Sequence, residues 1–358
     1  KIWYNQTMEL ISGNQAVVRG AIKAGAEIFA GYPITPASEI MYEWIAQIKN
    51  HQKKDVCKTF VQTEDEISAI HTIIGSTLAG KKSFTATSGP GFSLMQEGIG
   101  LAFIYETPIV IVNSMRVGPS TGMPTVSSQG DILQTQYGSH GDYFVPVYAS
   151  NSVEEAYVNT IKSFNLAAKL STPVIHLMDG FISQLVENVT LQYSGEVVEL
   201  EITPLTKSPT PRYYSGLTTV KGIPKTKRAE DYAKWITPKL KKKELIKDDE
   251  YEFYGSENAE NLIVAYGGVS RLVYEIVDKY PNKYSLFRPI RIFPAPIKPL
   301  IELAPRYKKI FSVEANQSQY SKILRAESLL NIIALPVCEG GKYQPSEIYK
   351  QIEKHNES

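Results

Sequence analysis

The chain has 358 residues, enough for two domains or for one large α/β domain with a smaller appendage. Its 43% hydrophobic and 21% charged residues are those of a globular protein and exclude a disordered or fibrous chain. Lys+Arg (38) and Asp+Glu (37) nearly cancel, so no overall basic field favours nucleic acid, and no nucleic-acid partner is expected. The longest apolar runs, such as residues 107–113, have strand length, and no charged-then-apolar segment opens the sequence. No membrane span and a cytoplasmic location are therefore the expectation. Cys57 and Cys338 are far apart and outside any C-x-x-C, so they cannot ligate a cluster or a structural zinc; they read as buried reduced thiols.

In chain order, the pattern predicts a helix over 14–24, a strand over 27–30, a helix after Pro36, a strand over 59–62 and a helix over 65–78. A strand over 83–87, a helix after Gly91 and a strand over 108–112 follow. After a long loop come a strand over 144–148, a helix over 153–168 and a strand over 173–178. Strands apolar on both faces and separated by helices imply a doubly wound parallel sheet over 1–190. Residues 191–257 lose period and read as a linker or meander with a few strands or a short helix, its basic run at 239–243 a solvated face. From 258 to 358 the βα rhythm resumes as a smaller α/β domain, with strands over 262–266, 286–293, 310–314 and 332–337.

Two nucleotide-site lures fail on context. Residues 75–82 nearly spell a P-loop, but Lys82 stands where Ser or Thr must bind Mg²⁺, and the segment ends a helix rather than opening one. Ser88-Gly89-Pro90-Gly91 does sit at a strand-to-helix turn, yet Leu94 replaces the third glycine of a dinucleotide fingerprint. His71 and His176 lie on apolar elements and read as satisfied core histidines.

Four polar, Gly/Pro-rich segments fall at strand ends, where open α/β sheets place ligands. They are Gly31-Tyr32-Pro33-Ile34-Thr35-Pro36, Gln62-Thr63-Glu64-Asp65-Glu66, Thr85-Ala86-Thr87-Ser88-Gly89-Pro90-Gly91-Phe92, and the run from Arg116 to Asp131 with the pattern R-x-G-P-S-T-G-x-P-T-x-x-x-Q-x-D. This ordered set resembles the α subunit of the 2-oxoacid:ferredoxin oxidoreductases, most closely the 2-oxoglutarate type, also called 2-ketoglutarate synthase. The likeness is strong over 9–190 and looser beyond Asn261, where Val313-Glu314-Ala315-Asn316-Gln317 matches best.

The resemblance implies a fold: a pyrimidine-type thiamine diphosphate domain followed by a smaller domain of transketolase C-terminal type. It also implies a chemistry, oxidative decarboxylation of a 2-oxoacid on thiamine diphosphate with acyl transfer to coenzyme A and electrons passed to ferredoxin. One carboxyl group must share a proton with the cofactor's aminopyrimidine ring, a task suited to a Glu of raised pKa. Glu64, Asp65 and Glu66 are candidates; related enzymes carry a glycine nine positions after this Glu, which is Gly75 from Glu66 but Ile73 from Glu64. Glu66 is the choice, against the alternative that all three acids only complement a helix N-terminus. Tyr32, Pro33, Ser88, Gly89 and Phe92 are implied beside the cofactor, and Arg116, Thr35 and Thr121 beside the substrate. A surface salt bridge for Arg116 and a turn-stabilising hydroxyl for Thr35 are the alternatives.

No diphosphate/Mg²⁺ motif of the G-D-G…N-N kind and no cluster cysteines occur in the sequence, so this chain is expected to bind no metal itself. In the resembling enzymes Mg²⁺ and a [4Fe-4S] cluster belong to a β subunit that shares the active site, and γ/δ subunits can accompany it. Gly216-Leu217-Thr218 continues with Thr219-Val220-Lys221 where the family commonly has His-Asp-Glu, which leaves the preferred 2-oxoacid open. A non-catalytic assembly subunit of the same fold and a non-redox, transketolase-type enzyme are the competing readings.

Overall fold

Strands whose residues are buried throughout can only lie inside a sheet covered on both faces, and Ser83–Thr87 and Val174–Asp179 are buried at every position. Val110–Val117 between them is buried at all but its last residue. The structure, a computed structural model, describes residues 8–51, 58–202, 204, 207, 216–220, 223–337 and 343–356. Cys57, Cys338 and Lys221 lie outside the described residues.

From one edge to the other, the larger sheet runs Arg291–Phe293, Val147–Ala149, Val174–Asp179, Val110–Val117, Ser83–Thr87, Ile28–Gly31 and Thr59–Gln62. All neighbours pair in parallel except the first, which is antiparallel to Val147–Ala149. Helices Gly13–Lys23, Ser38–His51 and Val153–Leu170 cover one face, and Glu66–Leu78 with Gln96–Ile104 cover the other. The caps are sequence-specified: Ser12 and Gln15 form a reciprocal capping box, and the Ser152 hydroxyl accepts from the Glu155 amide at 3.1 Å. Under the first face, Phe84 is fully buried with Phe29, Trp44 and Phe164 at ring-centroid distances of 4.9, 5.1 and 5.9 Å, all edge-on.

A second sheet runs Tyr251–Gly255, Tyr284–Pro289, Asn261–Val264, Lys309–Glu314 and Ile332–Pro336, parallel except for its first strand. The run expected as one strand over 286–293 is two. Pro289 cannot donate to a ladder, so the chain leaves this sheet there, and Arg291–Phe293 joins the edge of the larger one. The two sheets are tied further by Arg288, which donates to both carboxylate oxygens of Glu155 at 2.9 Å and to Glu252 at 2.8 Å.

Residues 191–257 contain a 13-residue helix, Ala229–Lys241, and the strand Tyr251–Gly255. The basic run is a solvated face only in part: Lys241 and Lys243 are exposed, but Lys239 and Lys242 donate to Glu106 at 2.8 and 2.6 Å and pin this segment to the first domain. The long loop expected after residue 112 also has regular structure, since Val110–Val117 turns back through a hairpin to Met123–Ser127 and continues into the short helix Ile132–Tyr137.

The Phe84 cluster supplies a test of the core. Phe84→Ala is expected to cost about 3–5 kcal/mol, through lost transfer energy and a cavity its three aromatic neighbours cannot close. Denaturant unfolding checks it, with a loss below about 1 kcal/mol contradicting the packing described.

Candidate active site

Strand ends of a parallel sheet gather loops on one rim, and here the rim carries one buried cation and two acids. Arg116 is 6% exposed although it ends a strand, because the hairpin to Met123–Ser127 folds over it. Its guanidinium donates to the Thr35 carbonyl at 2.7 Å, while its Nε has no hydrogen-bond partner among the described residues. Burial works against its charge and lowers its proton affinity, with the fields of Asp131 and Glu66 opposing. Neither acid is in ion-pair contact, so the fork is charged, desolvated and only partly satisfied. A buried cation in that state has the donors and the charge to accept an anion.

The three neighbouring acids after Gln62 have different environments. Asp65 caps the Glu66–Leu78 helix, accepting from the Ser68 amide at 2.7 Å, and Glu64 is exposed and accepts from the Ser68 hydroxyl at 3.0 Å. Glu66 is 5% exposed. Burial raises its carboxyl above the ordinary 4.5, and Asp65 adds to the rise, while its own backbone N–H and Arg116 oppose it. The carboxyl and the Thr87 hydroxyl both lie so close to Gly91 that a Cβ there would overlap each of them. Gly91 is therefore the backing that lets the carboxyl sit at the rim. Gly75, by contrast, is exposed, and an added methyl there would meet nothing within 4 Å.

Arg116 opens into a cleft of about 560 Å³, lined also by Gly89, Pro90, Asp131, Asn316, Gln319 and Tyr343. Asp131 accepts from the Asn113 amide at 2.9 Å, and its carboxyl is raised by burial, with Asn113 and Arg116 opposing. The Ser88 hydroxyl and the side-chain amide oxygen of Asn113 are buried without partners among the described residues. Gly89 and Arg116 of the sequence-predicted residues thus line the cleft. Thr35 is exposed and reaches Arg116 through its carbonyl rather than its hydroxyl, Phe92 is wholly buried in the core, Tyr32 is 42% exposed, Pro33 is half-buried, and Thr121 sits exposed at the hairpin tip. Sequence reasoning singled out neither Asp131 nor Asn316, although both stand inside quoted motifs; Asn113 left no signal, being one polar residue in an apolar strand.

His176 is remote from this chemistry: fully buried, with Ser150 at 2.7 Å and Thr160 at 3.1 Å on its two ring nitrogens, and burial lowers its pKa to about 3. His71 is exposed rather than in the core, its Nδ1 2.7 Å from the Ile67 carbonyl. Among the described residues, no group of three His, Cys, Asp or Glu is placed to hold a metal ion, and no helix is long and apolar enough to cross a membrane.

The sequence profile of the family described as pyruvate flavodoxin/ferredoxin oxidoreductase, thiamine diphosphate-binding, matches residues 19–244. This chain belongs to that family. Among its relatives, 2-oxoglutarate synthase subunit KorA of Archaeoglobus fulgidus is 45% identical over 271 residues, 74% of this chain and 75% of the relative. Ketoisovalerate oxidoreductase subunit VorB of Methanothermobacter thermautotrophicus is 35% identical, covering 89% of this chain and 90% of its own. A solved 2-oxoglutarate:ferredoxin oxidoreductase from Magnetococcus marinus, with 2-oxoglutarate, coenzyme A and succinyl-CoA bound, superposes with a TM-score of 0.87 at 29% identity. That match covers 97% of this chain, which spans 65% of the length of the solved one. The family of oxidoreductases expected from the four motifs is the one found.

The rim's electrostatics make a direct test available. A carboxyl whose folded pKa is raised favours the fold when protonated and opposes it once ionised, so the penalty grows as pH rises from the ordinary value of 4.5 through the folded one. Glu66→Gln is therefore expected to raise the melting temperature at pH 7, the gain vanishing as pH falls below 4.5. Calorimetry across that range checks it; a loss of stability at pH 7 would contradict the desolvated site.

Proposed function

We propose that this chain is the α subunit of a 2-oxoacid:ferredoxin oxidoreductase, in which Glu66 holds the aminopyrimidine ring of thiamine diphosphate and Arg116 takes the carboxylate of the 2-oxoacid. The observation that carries the reading is the buried, half-satisfied Arg116 fork, which opens into a cleft and lies in the field of a desolvated Glu66. The residues fit the cofactor: Gly91 leaves room for the Glu66 carboxyl at the rim, and the buried Ser88 hydroxyl of the same glycine turn lacks a partner among the described residues. When bound, thiamine diphosphate supplies an electron sink for the decarboxylation.

The work of this chain is then positional and electrostatic. Glu66, with its proton affinity raised by burial, can hold a proton at the ring it faces. Arg116, fixed by the Thr35 carbonyl, orients the substrate carboxylate, and a low-dielectric rim strengthens that attraction. Tyr32, Pro33, Gly89 and Thr121 belong to the loops around this pair. Phe92 supports them from the core.

A partner is required in this reading, since two isolated cysteines cannot carry a cluster and the sequence has no diphosphate motif. A β-type subunit would bring Mg²⁺, the diphosphate site and a [4Fe-4S] cluster, with ferredoxin and coenzyme A as the other reactants. Relatives named for 2-oxoglutarate favour that substrate, and the ketoisovalerate relative keeps branched-chain 2-oxoacids in play. Arg116 is the only cation among the described residues lining the cleft, so a second substrate carboxylate would be read outside that lining.

The test is 2-oxoacid-dependent viologen reduction by the chain with and without a β-type partner. The lone chain should be inactive and the complex active. Within the complex, Glu66→Ala should lower kcat about a hundredfold or more, Arg116→Ala should raise KM for the oxoacid about a hundredfold, and Glu64→Ala should change neither. Activity in the lone chain would overturn the shared site, and an unchanged rate in Glu66→Ala would overturn the cofactor assignment.

A further inference from the structure

The segment 128–133, which carries Asp131 into the cleft, is held less by the first domain than by the second. Gln129 is fully buried and pairs with Ala315 like a strand edge, its amide N–H donating to the Ala315 carbonyl and its Oε1 accepting from the Ala315 N–H, both at 3.0 Å. Its Nε2 donates to the Tyr266 carbonyl at 2.9 Å, and its own carbonyl accepts from Asn316 Nδ2 at 2.8 Å. One side chain then brackets Asp131 from both sides: Gln319 Nε2 donates to the Gly130 carbonyl at 2.6 Å, and Gln319 Oε1 accepts from the Leu133 N–H at 3.0 Å. Asn316 completes the brace, its Oδ1 accepting from the Gln319 amide at 2.8 Å. On the first-domain side, Asp131 keeps the Asn113 hydrogen bond already described.

We infer that Gln319 is a positioning residue for the oxoacid site, acting through the Asp131 segment on Arg116. The inference rests on the reading of Arg116 as the oxoacid cation. Among the described residues the Arg116 guanidinium is hydrogen-bonded only to Thr35, and its remaining compensation is the field of Glu66 and of Asp131, which lines the same cleft. Glu66 is anchored at a helix N-terminus against Gly91, whereas Asp131 sits on a segment whose flanking backbone groups are satisfied by Gln319. Loosening that segment moves both a cleft wall and one of the two charges that hold the guanidinium, so the fork is no longer presented in one geometry. An interaction of this kind serves ground state and transition state alike, and its loss falls on KM rather than kcat. It also gives the Val313–Gln317 motif a role: this turn carries Ala315 and Asn316 to Gln129.

The experiment uses the complex with the β-type partner and the variants Gln319→Leu, Asp131→Asn and their combination. Leucine keeps the volume and removes both bracket hydrogen bonds. Two readouts are taken: steady-state kinetics with the oxoacid varied, and hydrogen exchange at the Leu133 amide. Gln319→Leu is expected to raise KM about tenfold with kcat within about twofold, and to speed Leu133 exchange about tenfold. Asp131→Asn should also raise KM, and the double variant should fall short of the product of the two, because both act through one segment. Unchanged Leu133 exchange would overturn the bracket. Faster exchange with KM unchanged or lowered, an equal fall in kcat, or multiplicative effects would reduce Gln319 to a structural residue and overturn its positioning role. If the wild-type complex showed no oxoacid-dependent reduction, the functional reading would fall instead, and Leu133 exchange would still decide the bracket.

Discussion

The site depends on one steric constraint, the contact between the Glu66 carboxyl and the bare backbone of Gly91. A helix N-terminus from one strand connection and a glycine turn from the next meet at the rim of the sheet, and no side chain can stand between them. That contact buries a carboxyl group without an ion-pair partner and raises its proton affinity. It also sets the distance at which Glu66 supports the charge of Arg116. With a methyl at residue 91 the carboxyl would be forced from its place, and the electrostatics of the rim would change with it.

Around this constraint the protein arranges charge rather than covalent chemistry. One cation and two acids occupy the rim, Arg116 and Glu66 buried and Asp131 half-buried, none in ion-pair contact with another, with unpartnered polar atoms of Ser88, Asn113 and Arg116 among the described residues. Such an arrangement costs stability. The cost is offset by a core of apolar central strands and by inter-domain ties such as Arg288 with Glu155 and Glu252. The second domain is part of the same arrangement: it places a strand on the larger sheet and amide groups against the segment that walls the cleft.

How much of this was legible in the sequence follows the range of the interactions involved. Ser83–Thr87 and Thr59–Gln62 are readable to the residue, since short runs between helices mark strands whether wholly buried, as the first is, or partly exposed at the sheet edge, as the second is. The four rim motifs were readable because glycines and prolines mark strand ends. Arg116 was read in a loop but lies on a strand, because the hairpin that extends it pairs polar, partly exposed residues without clear alternation. The strands Glu9–Ser12 and Val186–Val189 pair with each other across the first domain, and neither announces itself alone. The brace of Gln129 by Ala315 joins residues 186 positions apart, a distance no local pattern encodes. Glu66 was chosen by its spacing to Gly75, yet the glycine that bears on its carboxyl within this chain is Gly91.

The most direct measurement of the central claim is a structure of this chain bound to its β-type partner and thiamine diphosphate. The account predicts that the Glu66 carboxyl, still packed on Gly91, lies within hydrogen-bonding distance of the aminopyrimidine ring, with Arg116 facing the space beside it. A ring facing Glu64 instead, or a cofactor bound without contact to either residue, would contradict it.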